Sequence, residues 1–123
     1  MESFRDLIAW QKAMALATDV YRETERFPRE ELYGLTMQLR RAVVAVPSDI
    51  AEGKGRISKK EFLQMLARAR GSACEVETQL EISRNLGFLP ADRYSVLSEQ
   101  CSEVGRLLNG LMSSIRRSLR ADS

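Results

Sequence analysis

The sequence predicts an all-α protein, an antiparallel four-helix bundle of up-down-up-down topology. Apolar residues recur three and four positions apart along four long segments, as expected when one face of each helix is buried. Only three prolines and seven glycines occur, and helix-favouring residues such as Ala, Leu, Glu and Arg are abundant. The segments are joined by short connections, which place consecutive helices side by side and antiparallel. A chain of 123 residues suits one domain, so residues 1–123 are assigned to a single bundle.

The first two helices are predicted over about residues 6–26 and 29–53. Phe27 ends the first helix, because a residue before proline is disfavoured in the helical region. Pro28 then suits the first turn of the second helix, where its missing N–H has no partner to lose. Pro47 falls within the second helix, and because the apolar period continues past it we expect a kink rather than an end.

The third and fourth helices are predicted over about residues 58–86 and 90–118. The third starts with the S-x-x-E form of a capping box, from Ser58 to Glu61. Gly87 suits the left-handed residue that follows the C-terminus of many helices.

No catalytic or metal site can be recognised in the sequence. Histidine, the commonest general base and metal ligand, is absent. Cys74 and Cys101 are far apart, form no C-x-x-C motif, and lie in helical patterns that favour small buried side chains. We therefore expect no enzymatic activity, no metal and no cofactor.

The N-terminus does not resemble a signal peptide, and no uninterrupted apolar run is long enough to cross a membrane. These two observations predict a cytoplasmic protein. We also expect no membrane-surface binding, because the cations of the last helix cluster at one end rather than lining a polar face.

Charge is distributed unevenly along the chain. The net charge is +2, but residues 37–70 carry eight basic and three acidic residues around the sequence IAEGKGRIS. Its two glycines fit neither a dinucleotide fingerprint nor a P-loop, because the third glycine of the first and the spacing of the second are missing. Gly53 could instead end the second helix, with a solvated turn after it. The neighbouring cations remain candidates for phosphate contacts with RNA or DNA: Arg40, Arg41, Lys54, Arg56, Lys59 and Lys60.

The motifs YGL, QLRRA, VPS-I-AEG-GR and GS-E-E-QL occur in order between WQKAMAL and NLGFL. In this respect the chain closely resembles the bacterial four-helix-bundle family of 23S rRNA intervening-sequence proteins, over about residues 4–89 and by pattern alone in the last helix. The family signature falls on Tyr33, Gly34, Leu35, Gln38, Leu39, Arg40, Arg41, Ala42, Pro47, Ser48, Ile50, Ala51, Glu52, Gly53, Gly55, Arg56, Ser58 and Phe62.

This resemblance implies a homo-oligomer with no enzymatic activity. The family is similar to the accessory variability determinant of diversity-generating retroelements, a basic homopentamer that associates with nucleic acid and a reverse transcriptase. By resemblance, the expected partners are further copies of the chain in a pentamer, RNA or DNA, and a reverse transcriptase. Asp49 departs from the asparagine usual in the family and places a negative charge beside the basic segment.

Two functional hypotheses follow. In the first, a non-catalytic oligomer contacts phosphates through the six candidate cations. In the second, the protein is a structural or protein-interaction scaffold, and Arg40, Arg41 and Arg56 form buried or intersubunit ion pairs with Glu52, Glu75 or Glu77. Residues outside the main apolar rows could form an oligomer surface or belong to a wider core within one chain: Leu7, Met14, Tyr21, Tyr33, Met37 and Val44.

Overall fold

The structure is a computed structural model that describes residues 3–122, and within that range it is helical with no strand. A short 3-10 turn precedes the first long helix. The four long helices are α1 (Ile8–Thr24), α2 (Leu35–Lys54), α3 (Lys59–Asn85) and α4 (Ala91–Asp122).

The helices form a closed ring in which α1 packs on α2, α2 on α3, α3 on α4 and α4 on α1. At one end, the ring of Phe27 from the α1–α2 connection lies 5.9 Å from that of Phe88 in the α3–α4 connection. At the other end, Lys59 at the start of α3 binds Asp122 at the end of α4. The predicted antiparallel four-helix bundle is confirmed.

The core is the stripe of apolar residues that each helix turns toward the others. The largest fully buried helical side chains are Leu16, Val20, Leu39, Val43, Val46, Ile50, Leu66, Val76, Leu80, Leu97 and Leu108, and Leu89 of the α3–α4 connection is buried with them. Burying each such side chain contributes about 1.5–3 kcal/mol relative to leaving it in water.

The prediction that the second helix begins at residue 29 is wrong. Residues Arg29–Glu31 form a 3-10 turn, and α2 begins only at Leu35. Gly34 separates the two with backbone angles outside the helical region (φ −112°, ψ −113°). The Glu31 carboxylate then accepts a hydrogen bond from the Leu35 N–H at 3.0 Å, which caps the new helix start.

Two other local features can be compared with their predictions. Helix α2 runs through Pro47 to Lys54 without ending, as expected, and the predicted kink at Pro47 stays a prediction. Gly87 has φ +80°, and the Phe88 N–H bonds back to the Ser83 carbonyl at 2.9 Å, which closes the C-terminus of α3. The last helix continues to Asp122, four residues beyond its predicted end.

Candidate nucleic-acid interface

The turn between α2 and α3 is held by hydrogen bonds on both sides. The Gly55 N–H bonds to carbonyls of the last turn of α2, and the Arg56 N–H bonds to the Gly53 carbonyl at 3.1 Å. On the α3 side, the Ser58 hydroxyl accepts the Glu61 N–H at 3.0 Å. The predicted cap at Ser58 is therefore present, and residues 55–58 form a defined turn.

Gly53 does not end α2, as one interpretation of the sequence proposed. It lies inside the helix, is buried, and faces α3. A Cβ added at Gly53 would lie 2.8 Å from the Met65 Cβ and 2.9 Å from the Phe62 Cδ1. The residue is glycine because α2 and α3 approach each other closely here, and the C-cap is Gly55.

The C-terminal turns of α4 lie beside this turn. The Lys59 ammonium donates to the Ser118 hydroxyl at 2.6 Å and to the Asp122 carboxylate at 2.8 Å. The exposed side chains of Arg116 and Arg117 are therefore at the same end of the bundle as Lys59. Sequence reasoning did not group these arginines with the α2–α3 turn, because more than fifty residues of chain separate them.

This juxtaposition makes one end of the bundle basic. Segments 52–61 and 116–122 carry seven Lys and Arg residues against three Asp and Glu residues. We call this set of cations the basic end: Lys54, Arg56, Lys59, Lys60, Arg116, Arg117 and Arg120. At the opposite end, segments 19–31 and 75–93 carry nine Asp and Glu residues against five arginines. The small net charge conceals a molecule polarised along its long axis.

The cations of the turn differ in what they already bind. Arg56 pairs with Glu52 at 3.4 Å, with both side chains about half exposed. Lys54 lies over the Phe62 ring, 6.0 Å from its centroid. Lys60 is exposed and forms no hydrogen bond or ion pair with any residue between 3 and 122. Half-exposed pairs such as Arg56–Glu52 contribute little to stability, so they can exchange partners readily.

Arg40 is bound within the protein. Its Nε donates to the Thr24 hydroxyl at 2.9 Å, a terminal nitrogen donates to the Tyr21 carbonyl at 3.2 Å, and its guanidinium stacks 4.5 Å from the centre of the Tyr21 ring. These contacts satisfy carbonyl and hydroxyl groups in the last turns of α1. Arg40 thus joins α1 to α2.

Arg41 is exposed but distant from the α2–α3 turn. It lines a polar groove between α2 and α3 with Gln38, Glu75 and Gln79. At 1.5 Å per helical residue, its position on α2 is roughly 20 Å from Lys54. The structure therefore gathers Lys54, Arg56, Lys59 and Lys60 and leaves Arg40 and Arg41 outside that group. The scaffold hypothesis places buried or intersubunit ion pairs on these arginines. Among the residues described, Arg56–Glu52 joins two of the named residues, but this pair is half exposed and lies within one chain.

The remaining signature residues have local structural roles, with one exception. Pro47 and Ala51 line the groove between α1 and α2, and Ser48 donates to the Val44 carbonyl one turn back. Tyr33 has no such role, because 82% of its surface is exposed.

An apolar strip follows the outer faces of α1 and α2. Met14, Tyr21, Met37 and Val44 are each about 40% exposed, and Met14 and Val44 line one groove with Trp10. Leu7, which was expected on this surface, is buried in the core. Large apolar side chains grouped on one face are typical of surfaces that bind another protein chain.

Asp49 lies beside the basic end, in the last half of α2. Partial burial raises the pKa of this carboxyl, Arg68 acts against that shift, and Glu52 adds to it.

The cysteines occupy two different environments. Cys101 is buried, and loss of hydration raises the pKa of its thiol to about 12, so it is unreactive at neutral pH. Cys74 is exposed and accepts a hydrogen bond from Arg70 at 2.8 Å, so the expectation that both thiols are buried is wrong. Within residues 3–122, no cluster of three potential metal ligands occurs and no helix could span a membrane.

Comparisons with known proteins identify relatives of the fold and sequence. The family model described as 23S rRNA-intervening sequence protein matches residues 5–110. A crystal structure of a protein of unknown function from the S23 ribosomal protein family of Bacteroides thetaiotaomicron is similar, with a TM-score of 0.81 and 19% sequence identity. The match covers 86% of this chain and 96% of that one. No curated protein matches the chain.

Proposed function

This chain belongs to the 23S rRNA-intervening sequence protein family, and from that premise we propose that it is a non-catalytic, homo-oligomeric protein that associates with nucleic acid. The basic end of the bundle is the proposed contact surface, and it binds phosphates without reading bases. The number of subunits expected from the family resemblance is five.

The observation that carries this proposal is the position of the α4 arginines beside the α2–α3 turn. Two segments distant in sequence combine there into one surface on which cations outnumber carboxylates by seven to three. Lysine and arginine side chains at a surface bind a phosphate backbone by charge and release its condensed counterions. The opposite, acidic end repels a polyanion and so favours one orientation of the bundle on it.

Salt dependence of binding tests the proposal. Fluorescence anisotropy with a labelled RNA strand and an RNA duplex gives the dissociation constant over a series of salt concentrations. In the double variant Lys60→Ala/Arg117→Ala, both changes remove exposed cations that form no hydrogen bond or ion pair with any residue between 3 and 122. If both contact phosphates, the slope of log affinity against log salt should fall in magnitude by about 1.4 on single strands and about 1.8 on duplex.

The matched control is Arg26→Ala/Arg29→Ala. It removes the same charge from exposed arginines near the α1–α2 connection, at the acidic end. Binding should be nearly unchanged in this control. Equal losses of RNA affinity in both double variants would show an effect of net charge alone. If the unaltered protein does not bind RNA even at low salt, the proposed surface is excluded.

The homo-oligomer part of the proposal is supported by the apolar strip on α1 and α2. This strip exposes Met14, Tyr21 and Val44 to water, and covering it with a second copy of the chain lowers the free energy by burying apolar surface.

A protein-interaction scaffold is the second candidate. It is favoured by the ion pairs Arg56–Glu52 and Lys59–Asp122, which neutralise two cations of the basic end. A protein that assembles but binds neither RNA nor DNA at low salt would be such a scaffold.

A further inference from the structure

The α2–α3 turn holds one apolar side chain completely in solvent. Ile57 has a relative exposure of 103%, the highest among the large apolar residues that the structure describes. The turn around it is ordered by hydrogen bonds, from the Arg56 N–H to the Gly53 carbonyl and from the Glu61 N–H to the Ser58 hydroxyl. Ile57 is thus presented to solvent by a defined backbone.

Cations lie on both sides of this side chain in the sequence. Lys54 and Arg56 precede it, and Lys59 and Lys60 follow it. A single exposed aliphatic residue is common on protein surfaces and needs no special explanation. Its place at the tip of a basic turn is more specific, because a partner seated there would have to offer anionic groups around a small apolar surface.

We propose that Ile57 packs against an unstacked base of a single-stranded nucleic acid whose phosphates contact the surrounding cations. This inference rests on the proposed function and extends it to the class of nucleic acid. Bases of a single strand expose their faces for packing, whereas those of a duplex must first be separated at a cost in free energy. An anionic membrane is less suitable, since stable adsorption uses a broad apolar helix face in addition to charge.

The test compares Ile57→Ser with Ile82→Ser in the full-length chain. Ile82 is also an exposed isoleucine, 42% exposed, but it lies toward the C-terminal end of α3. Anisotropy is measured with a labelled polyuridine strand and with a blunt RNA duplex. Ile57→Ser should weaken binding to polyuridine about fivefold to tenfold. Its salt slope and its affinity for the duplex should stay the same, because no charge changes.

A second variant, Ile57→Phe, should bind polyuridine at least as tightly as the unaltered protein, because an aromatic ring stacks on bases. Undiminished binding by Ile57→Phe requires a folded turn, so this variant separates base packing from damage to the structure. Ile82→Ser should leave both affinities unchanged.

Three results would overturn the inference. If Ile57→Ser binds polyuridine normally while Lys60→Ala/Arg117→Ala is weakened, base packing is excluded but the proposed function stands. If neither variant differs from the unaltered protein in its affinity for RNA, base packing and the proposed function are both excluded. If Ile57→Ser reduces binding to phosphatidylserine vesicles and leaves RNA binding intact, the tip contacts a membrane instead.

Discussion

At the scale of single residues, Gly53 shows how a motif can be diagnostic for a reason other than the one its composition suggests. Glycines beside cations are typical of phosphate-binding loops. Here Gly53 lies within α2, and its missing side chain lets Phe62 and Met65 of α3 pack directly on the helix backbone. Its contribution to the proposed nucleic-acid surface is indirect, because this close packing determines where the turn and its cations lie.

Gly53→Ala should therefore destabilise the protein, although alanine is the better helix former. The new Cβ would lie within 3.0 Å of Phe62 and Met65 atoms, and such overpacking costs about 1–3 kcal/mol. Gly71→Ala is the matched control, because Gly71 lies inside α3 with no atom within 4 Å of its added Cβ. It should stabilise the protein by about 0.5–1 kcal/mol. Urea unfolding measures both changes, and stabilisation by Gly53→Ala would contradict the close approach.

At the scale of helices, local patterns predicted most of the structure. The existence of all four helices, the cap at Ser58 and the left-handed Gly87 each depend on residues a few positions apart. The predicted start of α2 was wrong, because a side-chain cap from Glu31 allows a new helix to begin after Gly34. Proline at position 28 had favoured the earlier start.

The candidate site was predictable only in part, because it depends on contacts between distant segments. The basic segment was visible in the sequence, but the approach of Arg116 and Arg117 depends on the register of α4 against α3. That register is determined by core packing along both helices. Likewise, nothing in the local sequence separates Arg40, which binds Thr24 of α1, from its exposed neighbour Arg41.

The cap of α3 gives a prediction at this scale. Ser58→Ala removes the hydroxyl that accepts the Glu61 N–H, and loss of such a cap costs about 0.5–2 kcal/mol. Ser48→Ala is the matched control, since Ser48 is exposed inside α2 and bonds only to the Val44 carbonyl of its own helix. That change should be neutral or slightly stabilising. The midpoint of thermal unfolding should fall for Ser58→Ala alone, and equal midpoints for the two variants would contradict the role of the cap.

At the scale of the whole molecule, two surfaces with different chemistry lie on different parts of the bundle. The apolar strip runs along the sides of α1 and α2, whereas the basic end is where α2, α3 and α4 meet. Copies that associate through the strip could leave the basic ends exposed. Assembly would then place several basic ends on one particle, which would raise affinity for a long polyanion by multivalency.

Val44→Glu tests whether the strip is the surface of assembly. Val44 is 41% exposed on α2, and a carboxylate there should remain hydrated in the monomer but oppose burial between copies. Light scattering should give a multiple of 13.9 kDa for the unaltered protein and a lower mass for Val44→Glu.

Val96→Glu is the matched control. Val96 is 46% exposed on α4, so this variant introduces the same charge away from the strip and should keep the assembled mass. Circular dichroism should show equal helix content in all three proteins. An unaltered protein of 13.9 kDa would exclude the oligomer, and an assembled Val44→Glu would place the contact on another face.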